Sequence, residues 1–330
     1  MDNNVTSLSK LTDSIESVVT GIPAPVRKNF FKAFGQLCTA AVDIPVAWLE
    51  SKSAEIRATT NARLQIIEKE GETISNQLVI PPEYITRASS KFASKVIKEQ
   101  INLDAITLNA AKELTESEKL SETESTIQDI SEDWLNEFEN LARLKSSEEM
   151  KFVFGKILSG EIMQPGSFSI KTVKLIAQLD NEAAKLFQIF CSNSISLRIG
   201  NKICDARVVS LTGTAGSNSL LKFGLSYDNL NILQEYGLIT SDYNCRMPYA
   251  ISIINEQNQV IAPIRFQGLY YGLLPIDRTK ISEDLFLNGV SLTKAGKELI
   301  DIIPINPSPT YETELKDYFE KKHLKFIQVK

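Results

Sequence analysis

Histidine is nearly absent from this sequence of 330 residues, which contains only His323. Ser-His-Asp and Cys-His catalysis need a histidine that the fold positions beside the nucleophile, and multi-histidine metal sites need several. The scarcity excludes such metal sites within one chain. It leaves an enzyme only carboxylate, serine, lysine or tyrosine chemistry, and these residues show no spacing along the sequence that is recognisable as a catalytic motif. We therefore expect a protein that is not an enzyme and uses no cofactor.

Cysteine is also scarce, and no two of the four cysteines are close enough to form a CxxC pair. This spacing argues against zinc-binding and redox motifs. Long apolar runs are missing too, since the stretches 33–42 and 266–276 are shorter than the roughly 20 residues that span a bilayer. Residues 1–10 are polar and contain no signal-peptide core. We expect a cytoplasmic protein, with peripheral contact at a membrane as an alternative.

The charge that is present is unevenly distributed. The formal net charge is −5, yet residues 117–139 contain eight acidic residues and one basic residue. The rest of the chain is therefore slightly positive, so overall acidity does not exclude contact with nucleic acid or with a membrane. The length allows two or three domains with a substantial core.

Residues 1–114 are predicted to form an elongated helical region. Apolar residues recur at helical spacing after Pro25, and Pro45 is expected to break that helix. A second, heavily charged helix is predicted over 46–78, and a third over 83–114. Amphipathic helices need a surface that covers their apolar stripe, so we expect self-association or a protein partner.

The polar stretch 115–128 is predicted to be a flexible linker, since it is rich in Ser, Thr and Glu and contains no aromatic residue. A central module of four short helices is predicted over 129–193. Each helix is expected to begin at a side chain that accepts a hydrogen bond from the first turn. The expected N-cap residues are Ser131, Ser146, either Ser167 or Ser169, and Asp180.

The pattern changes after residue 194, where short β-prone runs alternate with turns and helices and predict an α+β domain over 194–330. The expected strands lie at 196–199, 206–211, 249–254, 260–266 and 325–329, and the expected helices at 228–236, 294–303 and 311–322. A helix that ends at Gly237 and a later helix that begins after Leu292-Thr293 resemble a winged helix. The predicted fold is mainly α, with long N-terminal helices, a central helical module and a winged-helix-like C-terminal α+β domain.

Residues 133–187 resemble an uncharacterised bacterial family, the domain of unknown function DUF2806. The matching pieces are Asp133-Trp134-Leu135, the run from Lys156 to Ile162, and Pro165-Gly166-Ser167-Phe168-Ser169. The family is distantly similar to the abortive-infection alpha proteins. The resemblance implies a bacterial accessory system such as phage defence, and it implies no catalytic residue. The candidate motif residues are Trp134, Gly160, Glu161, Pro165, Gly166, Ser167 and Ser169.

Structural roles compete with functional ones at this motif. Glu161 is a candidate functional carboxylate, but it equally fits a helix cap or an ion pair with Lys156 or Lys171. Ser167 and Ser169 fit a polar pocket or, alternatively, an N-cap and a turn. The two glycines of the motif fit backbone angles that other residues avoid.

The loop 212–217 is the one glycine-containing stretch that resembles a phosphate cradle. It lacks the Lys-Ser/Thr ending of a P-loop and has no evident helix directly behind it. A flexible hairpin loop is therefore expected instead of a nucleotide site.

A basic and aromatic flank supports a membrane or partner contact near the N-terminal region. The flank consists of Arg27, Lys28, Phe30, Phe31, Lys32 and Phe34. Such a helix suits binding at a membrane surface. It equally suits burial against the long helices of the same region.

Three functions remain open from the sequence. The leading one is interaction or sensing in a bacterial accessory system, with phage defence implied by the resemblance. One alternative is a membrane-surface effector that acts through residues 25–49. The other is a nucleic-acid-binding regulator that acts through residues 228–303, which is less favoured because the helix at 228–236 contains no Arg or Lys.

Overall fold

The computed structural model of the protein describes residues 23–38, 82–116, 128–200, 202–281 and 285–329. The chain divides into two compact units, residues 1–167 and residues 168–330. The helix predicted over 46–78 and the break predicted at Pro45 lie outside the described residues, as does most of the linker predicted over 115–128. Nine α-helices and seven strands occur in the described part of the chain.

The regular elements in the described residues of the first unit are all α-helices. Its helices are α1 (Ala24–Leu37), α2 (Pro82–Glu116), α3 (Glu132–Ala142) and α4 (Glu148–Met163). The Ser131 hydroxyl accepts the Trp134 N–H and begins α3, as the sequence predicts. The cap predicted at Ser146 is wrong by one residue, because it is the Ser147 hydroxyl that accepts the Met150 N–H and begins α4.

The core of this unit forms where α2 packs against α4. Gly155 of α4 permits a close approach, since a Cβ atom there would lie 2.6 Å from the Cβ of Asn109 on α2. Aromatic rings fill the adjoining space: the Trp134 and Phe138 rings stack with centroids 5.0 Å apart, and Phe138 lies 5.5 Å from Phe154. A small residue at one contact and large rings beside it give the dense packing of a folded core.

The second unit combines five helices with one sheet in its described residues. Its helices are α5 (Ile170–Gln178), α6 (Asn181–Asn193), α7 (Tyr227–Glu235), α8 (Lys294–Leu299) and α9 (Pro309–Glu320). The sequence predicts α5 and α6 within one central module over 129–193, but the boundary between the units follows Ser167 and divides that module. The physical reason is a contact distant in sequence, since the Ser169 N–H at the start of α5 donates to Glu298 on α8 at 2.8 Å.

All seven strands of the second unit form one antiparallel sheet with the order β3-β6-β2-β1-β4-β5-β7. The strands are β1 (Ile195–Ile199), β2 (Lys202–Val209), β3 (Cys245–Pro248), β4 (Ile264–Phe266), β5 (Leu269–Pro275), β6 (Phe286–Ser291) and β7 (Leu324–Gln328). The α+β character that the sequence predicts for this region is confirmed. Strands β3, β5 and β6 are not predicted, and the strand predicted over 249–254 is wrong. Ala250–Ser252 form a 3-10 helix in which the Ser252 N–H donates to the Tyr249 carbonyl.

Helix α7 ends and helix α8 begins as the sequence predicts, but α8 ends at Leu299 and not at residue 303 as predicted. Gly237 (φ +72°) ends α7, and the Leu238 N–H reaches back to the Leu233 carbonyl at 3.0 Å. The Thr293 hydroxyl accepts the Gly296 N–H at the start of α8. Between these helices β3 pairs with β6, but β6 also pairs with β2. The two strands therefore belong to the larger sheet and do not form a free-standing wing.

A buried ion pair connects β2, β3 and β6. Asp205 and Arg207 are 3% and 2% exposed, and the guanidinium donates to the carboxylate through Nε at 2.5 Å and Nη2 at 3.0 Å. Its Nη1 donates to the carbonyls of Cys245 on β3 and Leu287 on β6. The Tyr249 hydroxyl donates to Asp205 at 2.8 Å. Buried charges are tolerated when they are paired and hydrogen-bonded, and both conditions are met.

The ion pair makes the stability of the second unit depend on pH in the acid range. Burial alone would raise the pKa of Asp205, but the hydrogen bond and positive charge of Arg207 outweigh it, so the pKa lies below its ordinary value. A carboxyl whose folded pKa is lowered stabilises the fold above its unfolded pKa of about 3.9 and loses that contribution as the pH falls through the folded pKa. We expect Asp205→Asn to weaken the loss of stability below about pH 4, measured by urea unfolding followed by circular dichroism.

Single and double substitutions distinguish the loss of the ion pair between Asp205 and Arg207 from the cost of burying one of these charges alone. Arg207→Met leaves the Asp205 carboxylate buried without its partner, and we expect it to lower the free energy of unfolding by about 3–5 kcal/mol. The double variant Asp205→Leu/Arg207→Met removes both charges and should cost clearly less. If the double variant is as unstable as Arg207→Met alone, the ion pair is not the source of the loss.

Candidate interaction site

Glu161 fixes the turn that follows α4. Its side chain is buried, and its Oε1 accepts the backbone N–H of Gly166 at 2.7 Å. Gly166 has a φ of +88°, a left-handed conformation that glycine adopts with little strain. The Gly160 carbonyl accepts the Gln164 N–H at the end of α4, and Pro165 lies in the turn itself. These contacts favour the structural interpretation of this part of the motif.

The serines and the tryptophan of the motif also hold structural contacts. Ser169 caps α5 by accepting the Thr172 N–H at 3.3 Å. The Ser167 hydroxyl donates to the Gln164 carbonyl at 2.6 Å within the turn after α4. Trp134 is buried in the core of the first unit with 5% of its surface exposed. The structure therefore does not gather the seven motif residues into one pocket.

The aromatic residues of the predicted membrane or partner contact lie inside the first unit. Phe30, Phe31 and Phe34 of α1 are 1%, 9% and 5% exposed. The Phe30 ring lies 5.7 Å from Phe31 and 5.9 Å from Phe34, measured between centroids. Their burial favours the alternative in which α1 packs against other helices of its own region.

The basic residues of the same flank pair with the segment that precedes α3. Lys28 donates to both carboxylate oxygens of Asp129 at 2.7 Å, and Lys32 donates to the Ile130 carbonyl at 2.8 Å. Arg27 is partly exposed on the same helix. The flank therefore joins α1 to its neighbours instead of presenting apolar rings to a bilayer.

A shallow depression of about 460 Å³ lies in the second unit between α7 and the turn at 241–244. The rings of Tyr227 and Tyr243 meet edge to face with centroids 5.9 Å apart. The Tyr243 hydroxyl donates to Oδ1 of Asn231 at 2.7 Å, which connects the turn to α7. Gln234 lines the same depression from the next turn of α7. Two aromatic rings and the side-chain amides of Asn231, Gln234 and Asn244 thus converge on one open surface.

Local hydrogen bonds fix both walls of this depression. The Tyr227 N–H donates to Oδ1 of Asn218 at 2.6 Å, which joins the start of α7 to the loop that precedes it. The Asn244 N–H donates to Oδ1 of Asp242 at 2.9 Å, which closes the turn opposite α7. The aromatic and amide groups are therefore held in place by the fold itself.

The charge around the depression is acidic. Asp228 and Glu235 are exposed on α7, Asp242 is exposed on the turn, and none of the lining residues is Lys or Arg. Burial raises the pKa of Tyr243, and the neighbouring Tyr227 and Glu235 raise it further. The Tyr243 hydroxyl therefore stays protonated at neutral pH and remains a hydrogen-bond donor.

Sequence reasoning identifies one wall of this site only in part. The loop predicted at 212–217 supplies Thr214 and Gly216 to the depression, and Ala215–Ser217 form a 3-10 helix there. Tyr227 and Tyr243 are missed, because their spacing along the chain matches no period that would bring them together.

Within the described ranges no helix is long and apolar enough to cross a membrane. The same ranges contain no group of three or more His, Cys, Asp or Glu side chains that could hold a metal ion.

The fold and these contacts define a helical unit followed by an α+β unit with an acidic, tyrosine-lined surface site. The chain belongs to the DUF2806 family, described as a protein of unknown function, whose model matches residues 86–316. The predicted family resemblance is thereby confirmed. No curated protein and no solved structure matches the chain. The more distant likeness to abortive-infection alpha proteins stays a prediction.

The buried carboxylate of the family motif gives a testable stability effect. Glu161→Ala removes the acceptor of the Gly166 N–H, and we expect it to lower the free energy of unfolding by about 1–3 kcal/mol. Glu161→Gln keeps an acceptor oxygen and should cost less. Urea unfolding of the two variants beside the unchanged protein measures the difference. Equal losses in the two variants would contradict the role of Glu161 as an acceptor.

Proposed function

We propose that the protein is a non-enzymatic interaction protein whose second unit binds a cationic segment of a polypeptide at the depression beside α7. The observation that carries this proposal is the combination of two tyrosine rings, the exposed Tyr227 and the half-buried Tyr243, with an acidic rim. Aromatic faces and carboxylates are the groups that attract Lys and Arg side chains. The binding surface is polar, so its ligand is a charged segment and not an apolar helix.

The lining groups have complementary parts in this recognition. The rings of Tyr227 and Tyr243 offer aromatic surface to an ammonium or guanidinium group, a contact of about 0.5–2 kcal/mol. Asp242 adds an exposed negative charge at the rim. The side-chain amides of Asn231 and Gln234 supply donors and acceptors that match a peptide backbone.

The hydrogen-bonded carboxylates support a role without catalysis. The buried Asp205 is held by Arg207, the buried Glu161 by the Gly166 N–H, and the half-buried Glu298 by the Ser169 N–H. Each of these carboxylates therefore stabilises the fold through a short hydrogen bond, an arrangement that suits a structural group better than a general base.

We further propose that α7, the paired strands β3 and β6, and α8 act as a winged-helix-like module adapted to protein contact. A bridge between Ile239 and Leu292 extends the pairing of these strands toward both helices. Nucleic-acid recognition fits this surface less well, because phosphates attract Lys and Arg, whereas α7 carries Asp228 and Glu235. We propose that this binding serves a bacterial accessory system, for which the sequence resemblance supports phage defence.

Calorimetric titration of the full chain with a short Lys- and Arg-containing peptide tests the proposal. We expect the peptide to bind and a matched peptide with Glu in place of Lys and Arg not to bind. Tyr243→Ala should weaken binding about three- to tenfold, as expected for the loss of one aromatic contact. Tyr243→Phe keeps the ring and should bind nearly as well as the unchanged protein.

Two further arms make the titration specific to this site. Tyr270→Ala is the matched control, because Tyr270 is an exposed tyrosine (43%) on β5 that does not line the depression. Equal binding of the cationic peptide by Tyr243→Ala and Tyr270→Ala would overturn the site. A gel shift of duplex DNA at low salt that Tyr243→Ala abolishes would replace the peptide by nucleic acid.

A further inference from the structure

The first half of α2 lies outside the core of its unit. The helix contains 35 residues and is therefore about 52 Å long. Its second half packs into the core, where Leu103, Ile106, Ala110 and Leu114 are at most 5% exposed. Over residues 87–98, in contrast, every side chain is exposed. The packed half anchors an exposed helical segment of about 18 Å over residues 87–98.

Large apolar side chains cover one side of this exposed segment. Phe92 is 63% exposed, and Val96, Ile97 and Ile101 are 45%, 59% and 50% exposed. At about 100° per residue these four side chains spread over roughly half of the helix circumference. Phe92 with Val96, and Ile97 with Ile101, are each four residues apart, so they form two exposed apolar pairs on this side of the helix. Scattered apolar residues on a surface need no explanation, but clustered ones mark an interaction surface.

Basic side chains occupy the opposite side of the same segment. Arg87, Lys91, Lys95 and Lys98 are all exposed, and at about 100° per residue they fall within a sector of about 80° that faces away from Val96 and Ile97. Acidic residues are fewer over 82–101, where only Glu83 and Glu99 occur. Glu99 lies 3.7 Å from the Lys95 ammonium and 3.9 Å from Arg143. The segment is thus a basic amphipathic helix.

These charges decide between the surfaces that could cover the apolar side. A second copy of the same helix, packed through the apolar sides, would leave both basic sides in solvent without an oppositely charged partner. A helical partner also covers a narrow stripe, whereas this apolar sector is half a circumference wide. A bilayer rich in anionic lipid accepts a wide apolar sector at the level of its headgroups and attracts Lys and Arg within about 8–10 Å.

We propose that residues 82–101 form an interfacial helix that docks the protein on an anionic membrane surface. Phe92, Val96, Ile97 and Ile101 enter the boundary between headgroups and acyl chains, and the basic side stays in the headgroup and water layer. The site differs from the flank of α1, whose rings are buried in the first unit. It also lies in a different unit from the tyrosine-lined depression, so the two proposals fail independently.

Flotation of the full chain with vesicles tests this proposal. We expect the protein to float with vesicles of equimolar phosphatidylcholine and phosphatidylglycerol and to stay below vesicles of phosphatidylcholine alone. Raised salt should release it, because the attraction is screened. The double variant Lys91→Gln/Lys95→Gln should weaken partitioning on the order of twentyfold, since each cation near an anionic surface contributes about a fivefold factor.

Replacing single exposed apolar residues by Asp distinguishes membrane binding through this helix from binding through another part of the surface. Phe92→Asp should abolish flotation at vesicle concentrations that carry the unchanged protein. Ile261→Asp is the matched control, because Ile261 is 80% exposed in the second unit, and it should float normally. Equal flotation of Phe92→Asp and Ile261→Asp, or equal binding to both kinds of vesicle, overturns the proposal.

Two measurements keep the test decisive if a variant folds poorly. Hydrogen exchange of the unchanged protein should slow over residues 82–101 when anionic vesicles are added, and unchanged exchange there overturns the proposal. Light scattering after size exclusion determines the oligomeric state without lipid. A dimer that Phe92→Asp converts to a monomer, together with no flotation, would assign this surface to a second copy of the chain.

Discussion

The buried pair of Asp205 and Arg207 is the interaction on which the order of the sheet depends. The two residues are adjacent on one face of β2, yet the guanidinium also binds carbonyls of β3 and β6. A register shift of either neighbour by one residue would move its carbonyl away and leave donors of a buried cation unpaired, at a cost of several kcal/mol. The pair thereby selects one register among those that an apolar face alone would allow. It also holds Tyr249 inside the core, where the sequence pattern suggests a strand.

Features with local causes are the ones that the sequence predicts well. Ser131, Asp180 and Thr293 begin helices because each side chain accepts a hydrogen bond only three residues ahead. Gly237 ends α7 for an equally local reason, its left-handed backbone. Strands β3 and β6 lack such signals, since each is short and is stabilised by partners about 40 residues or more away in sequence. The contact of Ser169 with Glu298, which separates α5 from the preceding helices, is equally distant in sequence.

The two aromatic and basic helix segments show why composition alone does not locate an interaction surface. Phe30 in α1 and Phe92 in α2 both lie beside lysines on amphipathic helices, and the sequence favours the first as a contact. The structure buries Phe30 and exposes Phe92, because α1 lies among α2, α3 and α4 whereas the first half of α2 extends beyond its packing partners. The tyrosine-lined depression is harder to predict still, since Tyr227 and Tyr243 meet only through a turn between α7 and β3.

Although the net charge of the chain is −5, two of its surfaces carry local charges of opposite sign. The depression beside α7 is lined by Asp242, has Glu235 near its Tyr243, and has no cationic lining residue, whereas the exposed half of α2 carries four basic residues and two acidic ones. Screening confines each field to about 8–10 Å, so the partner proposed for each surface would meet the local charge and not the total charge. Under the two proposals, recognition depends on which charges the fold gathers at each surface and not on the net charge of the whole chain.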